Sequence, residues 1–342
     1  MIFGPRIKIQ LAVGALLAST LACRAATRLV IPDTPTPLPP TAIPATPTII
    51  PTLPVEVSCP SVLADVVHAA LSVEYNSDQN RDEEIYLASY VVTGNELGRP
   101  FYDSVPNDLK DEQNDRERHR AIWEYFTRLI PLEQREFLSS YSIVTDGQGE
   151  VLAAVGQTEN NPEEWSLEVD ILDSNNNYAL TFTLLHEFAH LMTLNAGQVP
   201  PSIPVFKNPD DDGIYQSEAA ACQNYFPGEG CSNPDSYINR FFDRFWLDLY
   251  AEWQDIDSEQ DQDTYYNRLD DFYSTYREQF LSDYAPTSPA EDIAESFAFF
   301  VLSPKPAVNS IADEKILFFY EYPELIDLRR QIINQLCVEF PR

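Results

Sequence analysis

Histidine, glycine, methionine and cationic side chains are all scarce in this chain. Four histidines, 11 glycines, two methionines and 22 lysines and arginines stand among 342 residues, against 54 acids. The net charge of −32 leaves no basic face to neutralise phosphates, which excludes nucleic acid as a partner. The same deficit excludes charge-driven binding to an anionic membrane surface. No Cys-x-x-Cys spacing occurs, so a thiolate zinc site is not expected. There is no internal repeat. What remains is substantial: 44% hydrophobic and 12% aromatic residues can bury a sizeable core, unlike a disordered acidic tail.

The acid is unevenly placed. Residues 1–59 carry four bases and two acids, so the remainder carries 18 bases and 52 acids. A solvated surface that resists aggregation is the plain reading. Attraction of cationic substrates is the sharper one.

The N-terminus reads as an export address. Arg6 and Lys8 precede an uncharged, mostly apolar run from Ile9 to Cys23, about fifteen residues and too short for a comfortable membrane span. Thr20-Leu21-Ala22-Cys23 resembles a bacterial lipoprotein signal, with leucine one place later than usual. Residues 1–23 are therefore expected to be a signal peptide of lipoprotein type, with plain secretion as the alternative. Ten prolines between Pro32 and Pro60, interleaved with threonines, make residues 24–58 an extended spacer. The expected product is an extracytoplasmic domain, residues 59–342, that meets a membrane only through a lipid anchor on Cys23. Four further cysteines remain, an even number that suits disulfides in an exported chain. Cys222–Cys231 would close a short loop and Cys59–Cys337 would tie the domain ends, although four cysteines permit three pairings.

Read for periodicity, the domain begins with a helix-like stretch, Ser61 to Val73, that holds His68 among apolar residues, where packing or partial burial is expected. Ile85–Val92 reads as a strand or a helix end. Asp108–Leu129 reads as one amphipathic helix, with His119 on its charged, solvated face. Pro131 fits the first turn of a shorter helix. Tyr141–Thr145 and Val151–Val155 flank a turn-rich segment and suggest a β-hairpin, and Trp165–Leu172 alternates like a strand. An apolar helix follows from Tyr178 to Leu194. Residues 200–235 read mostly as loop, Tyr237–Trp253 as an aromatic helix, and Tyr265–Leu281, Pro289–Val301 and Leu325–Val338 as further helices. Strands followed by many helices give an α+β class, helix-rich with a small mixed sheet.

Two of the four histidines stand in His186-Glu187-Phe188-Ala189-His190. On a helix they lie one turn apart on one face, where both imidazoles reach a single Zn²⁺. Glu187, between them, is placed to move a proton rather than to bind metal. A catalytic zinc needs a third protein ligand. A third histidine on the same segment is excluded, because Thr193 and Ala196 occupy the glycine and histidine positions of the extended motif. Carboxylates are the better source. Pro289–Ala298 puts Glu291 and Glu295 four apart, among Ala294, Phe297 and Ala298. One could bind the metal and the other accept a hydrogen bond from a ligand histidine.

These two patches resemble the glutamate-zincin metallopeptidases, and more narrowly the catalytic domain family of anthrax lethal factor. That family shows His-Glu-Phe-x-His, a distant Glu-x-x-Ala-Glu-x-Phe helix, and a tyrosine seven residues before its first glutamate. Here these are His186 to His190, Glu291 to Phe297, and Tyr284. The resemblance implies a zincin-like domain with His186, His190 and Glu291 as zinc ligands. It implies Glu187 as general base, Tyr284 as donor to the developing oxyanion and Glu295 behind His186. The substrate would be a peptide or protein. Roughly a hundred residues separate His190 from Glu291, a spacing unlike that toxin domain, so its specificity does not carry over. A non-catalytic surface binding protein on a zincin scaffold and a zinc amidase acting on a non-protein amide are the alternatives.

Asn208–Gly213 resembles the start of a calcium loop, but Ala219 stands where the closing glutamate belongs, so a polar turn is expected around Asp210. The alternating acids from Asp255 to Asp263 read as a solvated linker between helices.

Overall fold

The computed structural model describes residues 59–72, 84–148 and 151–340. The expected leader (1–23) and spacer (24–58) lie outside them. Among the described residues six strands form one mixed sheet: β1 (Ile85–Thr93), β2 (Glu96–Leu97), β3 (Phe101–Tyr102), β4 (Leu138–Thr145), β5 (Ala153–Thr158) and β6 (Asn161–Asp170). Its order is β2-β1-β4-β6-β5, with β3 also on β1. β1 runs antiparallel to β4, β4 parallel to β6, and β6 antiparallel to β5. The expected hairpin between β4 and β5 does not form; β6 lies between them. The side chains explain this. Trp165, Leu167 and Val169 alternate onto one buried face of β6, which suits an interior strand, whereas Ala-Ala-Val-Gly-Gln-Thr of β5 tolerates an edge.

Twelve α-helices are described, and the class is α+β, as the sequence indicates. α1 (Pro60–Leu71) opens on a proline at its first turn. His68 on it is exposed rather than packed, and its Nδ1 lies 3.3 Å from the Ser72 hydroxyl. The single helix expected over Asp108–Leu129 is broken into α2 (Lys110–Asn114) and α3 (Arg116–Leu129). Asp115 is the reason: its carboxylate accepts from Arg118 N and caps α3. His119 is not solvated but fully buried. Its Nε2–H donates to Glu112 O (2.9 Å), so Nδ1 accepts from the Tyr90 hydroxyl (2.7 Å). The flanking arginines disguise this position, because Ile122, Trp123 and Phe126 carry the buried stripe one turn further on. Beyond Pro131 only a short 3₁₀ turn forms, Leu132–Gln134.

α4 (Asn177–Leu194) is buried along most of its length between the sheet and α10 (Pro289–Leu302). The region expected to be loop holds two short helices, α5 (Ile203–Lys207) and α6 (Asp212–Ala221). Asp211 caps α6 by accepting from Ile214 N, so the acidic run near Asp210 serves as a turn and cap. The aromatic helix is split into α7 (Tyr237–Phe245) and α8 (Tyr250–Asp257), yet Phe242, Phe245, Trp246, Leu249 and Trp253 are all buried. The bend at Trp246 aims its indole N–H at Asp292 Oδ2, 2.7 Å away. α9 (Gln262–Thr275), capped by Asp261, precedes α10. α11 (Ile311–Phe319) was not expected; a Ser310/Asp313 capping box starts it. α12 (Pro323–Glu339) ends the described chain.

Among the described residues two disulfides are present, Cys59–Cys337 and Cys222–Cys231. Both suit a non-reducing, extracytoplasmic setting. Among the described residues no helix is long and apolar enough to cross a membrane.

Candidate metal centre

α4 begins where the Asn176 side chain accepts from the backbone of Tyr178 and Ala179. Ten residues further on, the helix has entered the core, and His186, Glu187 and His190 are each buried. They form a buried His-Glu-His group that could hold a metal ion. α10 faces them. Pro289 occupies its first turn, the Ser288 hydroxyl accepts from Glu291 N, and the cap fixes where the Glu291 side chain begins.

The two helices bring three potential ligand atoms together. His186 Nε2 lies 2.8 Å from Glu291 Oε2, His190 Nε2 lies 3.3 Å from the same oxygen, and the two Nε2 atoms are 3.1 Å apart. Two imidazole nitrogens and a carboxylate oxygen at these separations share too few protons to bond one another well. They fit a first-row ion, whose ligands at about 2.0–2.1 Å sit about 3.3 Å apart on a tetrahedron. The charges within the cluster support one another against burial. Burial opposes charge on Glu291, but His190 and His186 outweigh it and hold its carboxyl well below the usual carboxylate range. Burial likewise opposes charge on His186, and Glu291 and Glu295 overcome it.

Glu295 is one turn along α10. Its Oε1 is 3.1 Å from His186 Nδ1, and its Oε2 accepts from the Ser282 hydroxyl at 2.6 Å. The carboxylate thereby selects the tautomer of His186 with its proton on Nδ1 and a lone pair on Nε2. Glu187 lies beside this set on α4, within the same buried group. Burial pushes its pKa up to about 7, offset in part by His190, His186 and the backbone N–H of Val155 on β5. Tyr284 follows Ser282 by two residues, and its ring centroid is 5.8 Å from that of His186.

All six residues singled out from the sequence, His186, Glu187, His190, Tyr284, Glu291 and Glu295, are thus brought to one place. Sequence reasoning missed Ser282, Val155 and Glu229. Ser282 had a faint signal, two residues before Tyr284; Val155 acts through its backbone and had none. Glu229 lies between two glycines in the Cys222–Cys231 loop and is among the residues that line the same cleft. Behind Glu291, Asp292 is fully buried and pairs with the fully buried Lys315 at 2.6 Å. No protein-family model, curated protein or solved structure matches this chain.

Proposed function

We propose that the domain is a glutamate-zincin peptidase that hydrolyses peptide bonds outside the cytoplasm. The observation that carries this is the meeting of His186 Nε2, His190 Nε2 and Glu291 Oε2 within 3.3 Å of one another, with Glu187 beside them on α4. His186, His190 and Glu291 would hold zinc, which supplies polarisation of a carbonyl and acidification of water.

The chain's own residues supply the rest. Glu187, with a pKa near neutrality, removes a proton from the attacking water as its oxygen bonds to the carbonyl carbon. It then delivers that proton to the amide nitrogen as the C–N bond breaks, so the carboxylate is regenerated. Tyr284 donates a hydrogen bond to the oxygen that gains charge. Glu295, held by Ser282, keeps His186 in the tautomer the metal needs. β5 is the last strand of the sheet, and Val155 on it lines the cleft. An extended peptide laid along such an edge gains backbone hydrogen bonds, which favours a peptide over a compact substrate.

Purified Glu187→Gln is expected to retain stoichiometric zinc and to lose hydrolysis of a peptide library. Cleavage at the wild-type rate would overturn the proposal. In the same reading, Cys23 carries the domain on a lipid anchor, and the mass of the mature N-terminus tests that separately.

A further inference from the structure

We infer that the cleft beside His190 and Glu291 contains a subsite for a cationic substrate side chain, lysine or arginine, with Glu229 as its counter-charge. The inference rests on the peptidase reading and adds the class of residue selected.

The cleft encloses about 400 Å³ and runs from His190, Tyr284 and Glu291 to a wall built by α6, α8 and the Cys222–Cys231 loop. Rings make up much of that wall. Tyr250 and Trp253 stack at 5.5 Å, and Tyr215 meets Phe226 edge-on at 5.2 Å. Among the described residues no lysine or arginine lines the cleft, while Asp212, Glu229, Asp257 and Glu259 do. Glu259 is already paired with Arg268 at 3.7 Å. Glu229 differs: its Oε2 is buried and has no hydrogen-bond partner among the described residues. Burial pushes the Glu229 carboxyl up to about 7, offset in part by a backbone hydrogen bond and by His190, so ionising it is costly; an incoming ammonium or guanidinium would bond the unpaired oxygen and relieve that cost. Aromatic faces around the same space attract the same charge.

The backbone that carries Glu229 is closely fixed. Gly228 sits at φ 122°, a conformation that other residues adopt only with strain. A Cβ on Gly230 would stand 2.0 Å from Pro200 O. Between them, Glu229 O accepts from Ser202 N at 2.7 Å, and Cys222–Cys231 closes the loop. An acidic substrate side chain would meet Glu229 and Asp257 across a low-dielectric space and be rejected. The long segment between His190 and Glu291 thus builds the selective wall of the cleft.

The test uses zinc-loaded Glu187→Gln protein, so that peptides bind without turnover. N-acetylated peptides, which carry no free α-amine, differ at one scanned position among lysine, arginine, norleucine and glutamate, and Kd is measured by calorimetry. At one position lysine or arginine is expected to bind about 10-fold tighter than norleucine, with glutamate weakest. In Glu187→Gln/Glu229→Gln that ratio should fall to within about 3-fold. Metal content and near-ultraviolet circular dichroism establish that the double variant is folded. Equal binding of lysine and norleucine at every position overturns the subsite and leaves the peptidase reading standing, as does a ratio that survives Glu229→Gln. If no peptide binds and the wild-type protein cleaves none, both readings fall.

Discussion

Glu295 Oε1 lies 3.1 Å from His186 Nδ1, and the same carboxylate accepts the Ser282 hydroxyl at 2.6 Å. His186 is therefore oriented from behind by a residue that is itself oriented. Glu295→Gln is expected to weaken zinc binding by about 10- to 100-fold while the fold is kept. Ser282→Ala should act in the same direction and less. Competition with a chromogenic chelator measures both, and unchanged affinity in Glu295→Gln would show that His186 needs no such support.

Glu291 and His119 offer a sharp contrast. Glu291→Ala removes a carboxylate that both Nε2 atoms approach and should abolish stoichiometric zinc. His119→Ala should leave zinc content intact but cost about 2–4 kcal/mol of stability, because it opens a buried space and leaves the Tyr90 hydroxyl and Glu112 O without their partner. Metal analysis and urea unfolding of the two variants give opposite patterns if this is right. Equal zinc loss would discredit Glu291 as a ligand.

Asp292 and Lys315 pin α10 from the side away from the cleft. Burial pushes the Asp292 carboxyl up to about 6 against the opposing pull of Lys315, and the same burial lowers the Lys315 ammonium. Lys315→Met strands the carboxylate and should cost about 3–5 kcal/mol. Asp292→Asn/Lys315→Met should recover part of that loss. Denaturant midpoints for the two proteins decide it, and a double variant less stable than the single one would be the contrary result.

Asp170 gives stability a pH dependence. It is buried and accepts from the backbone of Asp146 (3.0 Å), Leu172 (2.6 Å) and Asp173 (3.3 Å). Burial pushes its pKa from 3.8 to about 7, the backbone donors of Asp146 and Leu172 offset this in part, and the charge of Asp173 adds to it. Between these values the folded state binds more protons than the unfolded state. Stability from this group is therefore present below about pH 4 and is lost as pH rises towards 7, by at most about 1.4 kcal/mol per pH unit. Asp170→Asn does not titrate, so its stability relative to wild type should rise across that window and level off above it. Urea unfolding at four pH values tests this; a constant difference would mean that Asp170 stays ionised in the fold.

The sequence was most legible where one local rule governs several residues. The 3.6-residue period placed α4 and α10 within a residue or two and put His186 with His190, and Glu291 with Glu295, on single faces. It was least legible where two segments compete for one neighbour. β5 follows β4 after a turn, so a hairpin was the local expectation, but the apolar alternation of β6 won the interior position. His119 misled for a related reason: its neighbours in sequence are charged, while the Tyr90 hydroxyl comes from β1 and Glu112 O is brought to the ring only by the break between α2 and α3.

By itself the sequence determined the chemistry that is possible: two histidines and a glutamate on one turn, carboxylates as candidates for further ligands, and an even number of cysteines whose pairing it left open. Those follow from residue type and short-range geometry. Only the tertiary structure decided which carboxylate oxygen meets both Nε2 atoms, which hydroxyl holds Glu295, and that Glu229 is carried from a distant loop to the wall of the same cleft. Such juxtapositions depend on how α4, α10 and the Cys222–Cys231 loop pack. Packing is set by the whole core at once and is written in no single stretch of the chain.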